Sequence, residues 1–304
     1  MSTPTSLDLP DGVRPITVRT SRGSFAALAA APLSGVCERS AALLVPGFTG
    51  SKEDFIAVLG LLADHGREVF AIDMRGQFET PGPDHADGGY APAALGADIA
   101  AVIEATGATH LLGHSYGGLV IREALLETRC RDDVGSFTLM SSGPAALTGP
   151  RAGELQAMLT ALGASDGQLP DREALRAGIA GLWQDYLEPQ IVADGVPGPI
   201  VAFLARRMRR NDPDGLVRMA RHLLAAPDRT SELARLDEIS MLVIYGEDDN
   251  SWSPAAQEAM ARRLRANRIC IPAAAHSPAV EAPATTASAL TRFWDAAEAG
   301  SRPL

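Results

Sequence analysis

The sequence predicts an α/β protein: a mostly parallel sheet with helices on both faces. Three observations predict it. Short apolar runs alternate with stretches of helical periodicity through the first 144 residues. Runs such as Ala41-Ala42-Leu43-Leu44-Val45 are apolar without a break, the mark of a strand buried on both faces. The runs end in turns rich in Gly and Asp, and in open parallel sheets functional groups gather beyond such strand ends.

The elements follow in order. Residues 16–20 and 24–28 flank Arg22-Gly23 and read as a hairpin that starts the sheet. The run 41–45 is the next strand and ends in Pro46-Gly47-Phe48-Thr49-Gly50. Ser51 and Asp54 then make a capping-box-like start, with Asp in place of Glu. Phe55, Val58, Leu59 and Leu62 give the helical face behind it. Residues 68–72 form a strand ending at Asp73-Met74-Arg75-Gly76. A helix is expected over 95–104, a strand over 109–113, a helix from Gly117-Gly118 onward, and a strand over 135–140. The pattern then changes, because 145–236 contains no convincing strand. Helical segments are expected there at 154–162, 172–187, 200–210 and 215–225, punctuated by prolines. Strand character returns at 241–245 and 268–271, with helices at 254–264 and 285–299. The expected organisation is a core domain of residues 1–144 and 237–304, with 145–236 inserted as a helical lid.

Composition narrows the function. The chain has 304 residues, 46% of them hydrophobic and 5% aromatic, and a formal charge of −10. The negative charge disfavours nucleic acid as a partner. Cys37, Cys130 and Cys270 are few, odd in number and without metal-ligand spacing. Free, mostly buried thiols in a reduced compartment are expected. The first 15 residues have neither a basic start nor an apolar run, and no stretch is long enough to span a bilayer. The expectation is a cytoplasmic protein. No Gly-rich loop is followed by a phosphate-binding Lys, and nothing points to a cofactor or a metal.

The chemistry centres on Gly113-His114-Ser115-Tyr116-Gly117. A strand ends, one serine stands on a tight turn, and a helix begins. Small residues on either side let strand and helix approach closely, and the helix N-terminus below suits a developing oxyanion. A serine hydroxyl needs a base, and the base needs a carboxylate to fix its tautomer. His276 follows the last strand, and Asp249 lies three residues after Gly246 in a turn that also holds Glu247 and Asp248. Asp248 competes for the acid role, but neighbouring side chains diverge; Asp249 is favoured. His114 should point back into the sheet, and His65, His85, His110 and His222 are read as structural or solvated. One oxyanion donor would be the Tyr116 N–H. The second should come from the loop after the Leu43-Leu44-Val45 strand, with Phe48 preferred over Gly47.

These segments together resemble the α/β-hydrolase fold superfamily, in its lid-bearing bacterial serine esterase type. The carriers are Pro46-Gly47-Phe48-Thr49-Gly50, Asp73-Met74-Arg75-Gly76, Gly113-His114-Ser115-Tyr116-Gly117, Gly246-Glu247-Asp248-Asp249 and Ala275-His276. The resemblance implies an eight-stranded sheet, a helical cap and acyl transfer through a serine ester, with Ser115, Asp249 and His276 as the triad. Its oxyanion loop often begins His-Gly where this chain has Pro46-Gly47. Gln77-Phe78-Glu79 stands where relatives often carry small residues, which bears on the pocket mouth. Asp73 and Arg75 resemble a structural turn.

In the insertion, Met158, Leu162, Leu182, Trp183, Tyr186, Phe203, Leu204 and Met208 supply large apolar groups. Met158, Trp183, Tyr186 and Phe203 are the expected pocket residues there, with Trp252 as a further wall. Arg206-Arg207 and Arg209-Arg210 read as a solvated helix face. The expected activity is hydrolysis of a small to medium carboxylic ester. Transfer or ring closure by the same triad is the alternative, and a non-catalytic ligand receptor on the same fold a third possibility. Thioester, amide and carbon–carbon cleavage use the same residues on this fold.

Overall fold

A computed structural model describes residues 1–83, 89–165, 167 and 169–300; His85 lies outside them. Eight strands form one sheet: β1 (Val13–Thr20), β2 (Gly23–Ala30), β3 (Ala42–Val45), β4 (Val69–Ile72), β5 (His110–His114), β6 (Ser136–Met140), β7 (Ser240–Gly246) and β8 (Asn267–Ile271). Their spatial order is β1-β2-β4-β3-β5-β6-β7-β8. The β1/β2 and β2/β4 pairs are antiparallel and all later pairs parallel.

The unbroken apolar runs are explained by helices on both faces. Alternate residues of each strand enter opposite layers, as the twofold side-chain period requires. Leu43, Leu111 and Val243 pack with α2 (Pro92–Thr106) and α3 (Tyr116–Glu127). Leu44, Leu112 and Leu242 pack on the other side with α1 (Ile56–Ala63) and the C-terminal helix, through Leu59, Leu290 and Trp294. Each such fully buried side chain stabilises the fold by ~1.5–3 kcal/mol.

Between β6 and β7 the chain is helical: α4 (Gly149–Ala161), α5 (Arg172–Leu182), α6 (Glu188–Ala193), α7 (Gly198–Arg210), α8 (Pro213–Ala225) and α9 (Thr230–Leu233). After β7 come α10 (Pro254–Leu264), α11 (Pro278–Glu281) and α12 (Pro283–Glu298). The helix expected over 172–187 differs in one respect. Residues Trp183–Leu187 form a π-helical turn that runs on into α6. Pro189 has no N–H to continue the ladder, and the Glu188 N–H reaches back to Trp183 O, widening the turn.

Two further expectations are corrected. Cys37 and Cys270 are exposed and Cys130 half-buried; Cys37 stands in the loop before β3, and Cys270 on the outer face of edge strand β8. In the arginine run, Arg206, Arg209 and Arg210 are exposed, but Arg207 is wholly buried. Its guanidinium donates to Asp54 Oδ1 at 2.7 Å and to Ser2 O at 2.7 Å. It thus ties α7 to the turn that opens α1. Among the described residues, no helix is long and apolar enough to cross a membrane.

Candidate active site

Ser115 joins β5 to α3 with φ 52° and ψ −117°. An L residue holds such a conformation at a cost of ~1–3 kcal/mol, so its surroundings must fix it. Its N–H donates to Met140 O at 2.8 Å, and its carbonyl accepts from Ser142 Oγ at 2.8 Å and from the Gly118 N–H at 3.0 Å. The crossing is too close for side chains. A Cβ at Gly113 would lie 2.5 Å from Gly118 Cα, and one at Gly117 2.5 Å from Val45 O. The Tyr116 N–H belongs to the first turn of α3, whose amides have no intrahelical acceptor.

Two later strand ends bring a carboxylate and an imidazole together. Asp249 follows β7 and its side chain is wholly buried; His276 follows β8 with its side chain 22% exposed. His276 Nδ1 lies 2.9 Å from Asp249 Oδ1. A carboxylate only accepts, so Nδ1 carries a proton, and in the neutral ring this tautomer leaves the lone pair on Nε2. Asp249 also accepts from the Ser251 N–H at 2.9 Å and from Gln257 Nε2 at 2.8 Å. Burial works to raise its pKa, but the His276 bond and charge and these two donors outweigh it and hold the carboxyl below its usual range. Asp248 is exposed, so Asp249 is the carboxylate that meets His276.

His114 is not directed into the sheet. Its side chain borders the same cavity as Ser115, and Nε2 lies 2.7 Å from His276 O. A carbonyl only accepts, so Nε2 is protonated. Burial, then the neighbouring His276, pushes the His114 pKa down to about 3, keeping the ring neutral. Gly47 makes room for it, since a Cβ there would meet Ser115 Cβ at 3.0 Å and His114 Nδ1 at 3.3 Å.

Ser115, His276, His114 and residues 47–50 border one cavity of about 560 Å³. The helices between β6 and β7 give it a mainly aliphatic wall, Leu155, Met158, Leu182, Leu187, Met208 and Leu223, with Arg151, Glu154 and Tyr186 also bordering it. Met1 and Ser2 also border it.

The profile described as "Alpha/beta hydrolase family" matches residues 42–289. The chain belongs to the alpha/beta hydrolase family. The RutD protein of Variovorax paradoxus (strain S110), named as a carbamate hydrolase, is 34% identical over 110 residues, which are 36% of this chain and 40% of RutD. The chain thus matches less than half the length of that curated relative. A thermophilic esterase from Thermogutta terrifontis superposes with a TM-score of 0.70 at 20% identity, over 93% of this chain and 99% of that one. The enol-lactonase from Burkholderia xenovorans LB400 gives 0.67 at 17% identity, over 92% and 100%. At these identities the likeness is one of fold.

Against this alpha/beta hydrolase frame, the sequence-predicted pocket residues divide. Met158 and Tyr186 border the cavity. Trp252, Trp183 and Phe203 do not, which corrects the expectation. Trp252 packs on Gly143 and donates to Ala145 O at 3.1 Å. Trp183 donates to Glu188 at 2.8 Å, and Phe203 stacks edge-on with Phe78. Large aromatics with a satisfied N–H serve as core here. Phe48 borders the cavity. Gln257, which donates to Asp249, and Arg207, which holds the cavity-lining Asp54, carry no sequence signal of these contacts, except that Arg207 shares its helical stripe with Phe203, Leu204 and Met208.

Proposed function

We propose that this alpha/beta hydrolase cleaves carboxylic esters with a mainly apolar acyl group, by way of an acyl-enzyme on Ser115. The observation that carries the reading is the 2.9 Å His276–Asp249 pair, whose imidazole borders the same cavity as the strained serine turn. In the reaction, Ser115 Oγ attacks the ester carbonyl carbon while His276 Nε2 takes its proton. Asp249 stabilises the resulting imidazolium. The Phe48 and Tyr116 N–H groups receive the charge on the carbonyl oxygen. Collapse expels the alcohol, which takes the proton from His276. Water, deprotonated by the same imidazole, then releases the acid and restores Ser115.

The helical insertion of residues 145–236 acts as a lid and supplies the acyl wall. A cavity of about 560 Å³ suits a small to medium ligand, within the ~300–1,000 Å³ of small-molecule sites. The name of RutD adds carbamates to the substrate panel. The test is a series of chromogenic esters of increasing acyl length, with matching carbamates, on the wild type and Ser115→Ala. Hydrolysis that rises with apolar acyl length and vanishes in Ser115→Ala supports the reading. Turnover retained in Ser115→Ala refutes it.

A further inference from the structure

Gln77 lies in the turn just beyond β4. It is 2% exposed. Its Nε2 donates to Gly47 O at 2.9 Å, and its Oε1 accepts from the Met74 N–H at 3.3 Å. The amide has one orientation, because Gly47 O can only accept and the Met74 N–H can only donate. The backbone of Gln77 is fixed as well, donating to Met74 O at 2.9 Å and accepting from Thr80 N–H at 2.9 Å. Gly47 O has a second donor, the Gly50 N–H at 3.1 Å.

The consequence lies in the peptide that joins Gly47 to Phe48. A trans peptide is planar, so its C=O and N–H point in opposite directions. Whatever fixes the Gly47 carbonyl therefore aims the Phe48 N–H. Two donors hold that carbonyl, from Gln77 Nε2 and the Gly50 N–H, and Gly47 and Phe48 both border the cavity with Ser115. We infer that Gln77 is a positioning residue for the oxyanion hole: it holds the Gly47–Phe48 peptide so that the Phe48 N–H meets the charge formed on the substrate carbonyl. The inference rests on the acyl-enzyme reading above and adds a residue to it. Without Gln77 the loop keeps the Gly50 bond, so the peptide plane loosens while the fold persists.

Such a group acts on the transition state and leaves ground-state binding alone. Gln77→Met keeps the length and removes the donor; Gln77→Glu keeps the shape and, when ionised, cannot donate. Each variant should lower kcat by ~10- to 100-fold, less than the ~10²–10³ of deleting an oxyanion donor outright. KM should be unchanged. The inhibition constant of a trifluoromethyl ketone matched to the acyl group, which forms a tetrahedral adduct on the serine, should rise by the same factor. That of the product acid should stay constant. A fluorophosphonate should still label Ser115 to completion in both variants, only more slowly. If wild-type Ser115 takes no label, the acyl-enzyme reading falls and this inference with it. If the wild type labels but either folded variant matches its kcat and ketone affinity, the role of Gln77 alone is overturned. The same holds if kcat is kept and KM rises.

Discussion

Replacing Arg207 with Met tests how the inserted helices are fastened beside Ser115. Arg207 is wholly buried, and its partner Asp54 is 3% exposed, 2.7 Å away. Met has a similar length and no charge, so the change removes the partner without opening a large hole. The stranded carboxylate is the main cost, since breaking a buried pair from one side loses ~3–5 kcal/mol. Unfolding entropy of ~2.1 cal/mol/K per residue over 304 residues turns that into a melting-point loss of ~5–8 °C at neutral pH. The pH dependence follows from Asp54. Burial already raises its pKa, against the opposing charge and bond of Arg207. With Arg207 gone the pKa rises further, so the folded form binds this proton more tightly than the unfolded chain. Stability of the variant then falls as pH rises from ~4 through the raised folded value, and levels off above it. Calorimetry of the wild type, Arg207→Met and Arg207→Met/Asp54→Asn across this range measures the effect. The single variant should lose most at neutral pH and least in acid. The double variant should recover most of the loss at every pH. A single variant that melts with the wild type, or a deficit unchanged by Asp54→Asn, refutes the reasoning.

Other outcomes follow from the same geometry. Asp249→Asn should lower kcat by ~10⁴-fold, by fixing the wrong His276 tautomer, while Asp248→Asn should leave steady-state kinetics unchanged. Met158→Trp should fill part of the aliphatic wall, raising KM for long acyl esters and sparing short ones in the chromogenic series. His222 Nδ1 shares a hydrogen bond with the Tyr116 hydroxyl at 3.0 Å, and burial, then Arg122, lowers its pKa to about 4. The unfolded chain therefore binds this proton more tightly. The melting point of the wild type should fall relative to His222→Gln as pH drops from ~6.5 towards 4, and be level with it above that window.

How much of this was legible in the sequence depends on the range of the forces involved. The strands could be read because burial on both faces leaves an unbroken apolar run, as in β3 and β5. The serine turn could be read because close crossing forbids any Cβ at Gly113 and Gly117. The choice between Asp249 and Asp248 rested on spacing from Gly246, and the turn there, closed by Asp249 N–H to Gly246 O at 3.2 Å, buries one and exposes the other. The direction of His114 was misread because the serine backbone leaves strand geometry at the next residue, so strand alternation no longer applies. Size and apolarity alone do not separate a pocket wall from the core. Trp183 and Trp252 find acceptors within the protein and become core, while Tyr186 and Phe48 border the cavity beside a larger set of aliphatic residues. Arg207 was hidden among three solvated arginines, and only its place on the apolar stripe of α7 sets it apart. Gln77 acts through a carbonyl thirty positions earlier, and no local pattern encodes that contact.

The proposed reaction requires Ser115 as the nucleophile. Intact-mass measurement after treatment with a fluorophosphonate tests this directly, with peptide mapping to place the adduct. One adduct per chain is expected, on Ser115, absent from Ser115→Ala and much slower to form in His276→Ala. No adduct on the wild type, or equal labelling of Ser115→Ala, would contradict it.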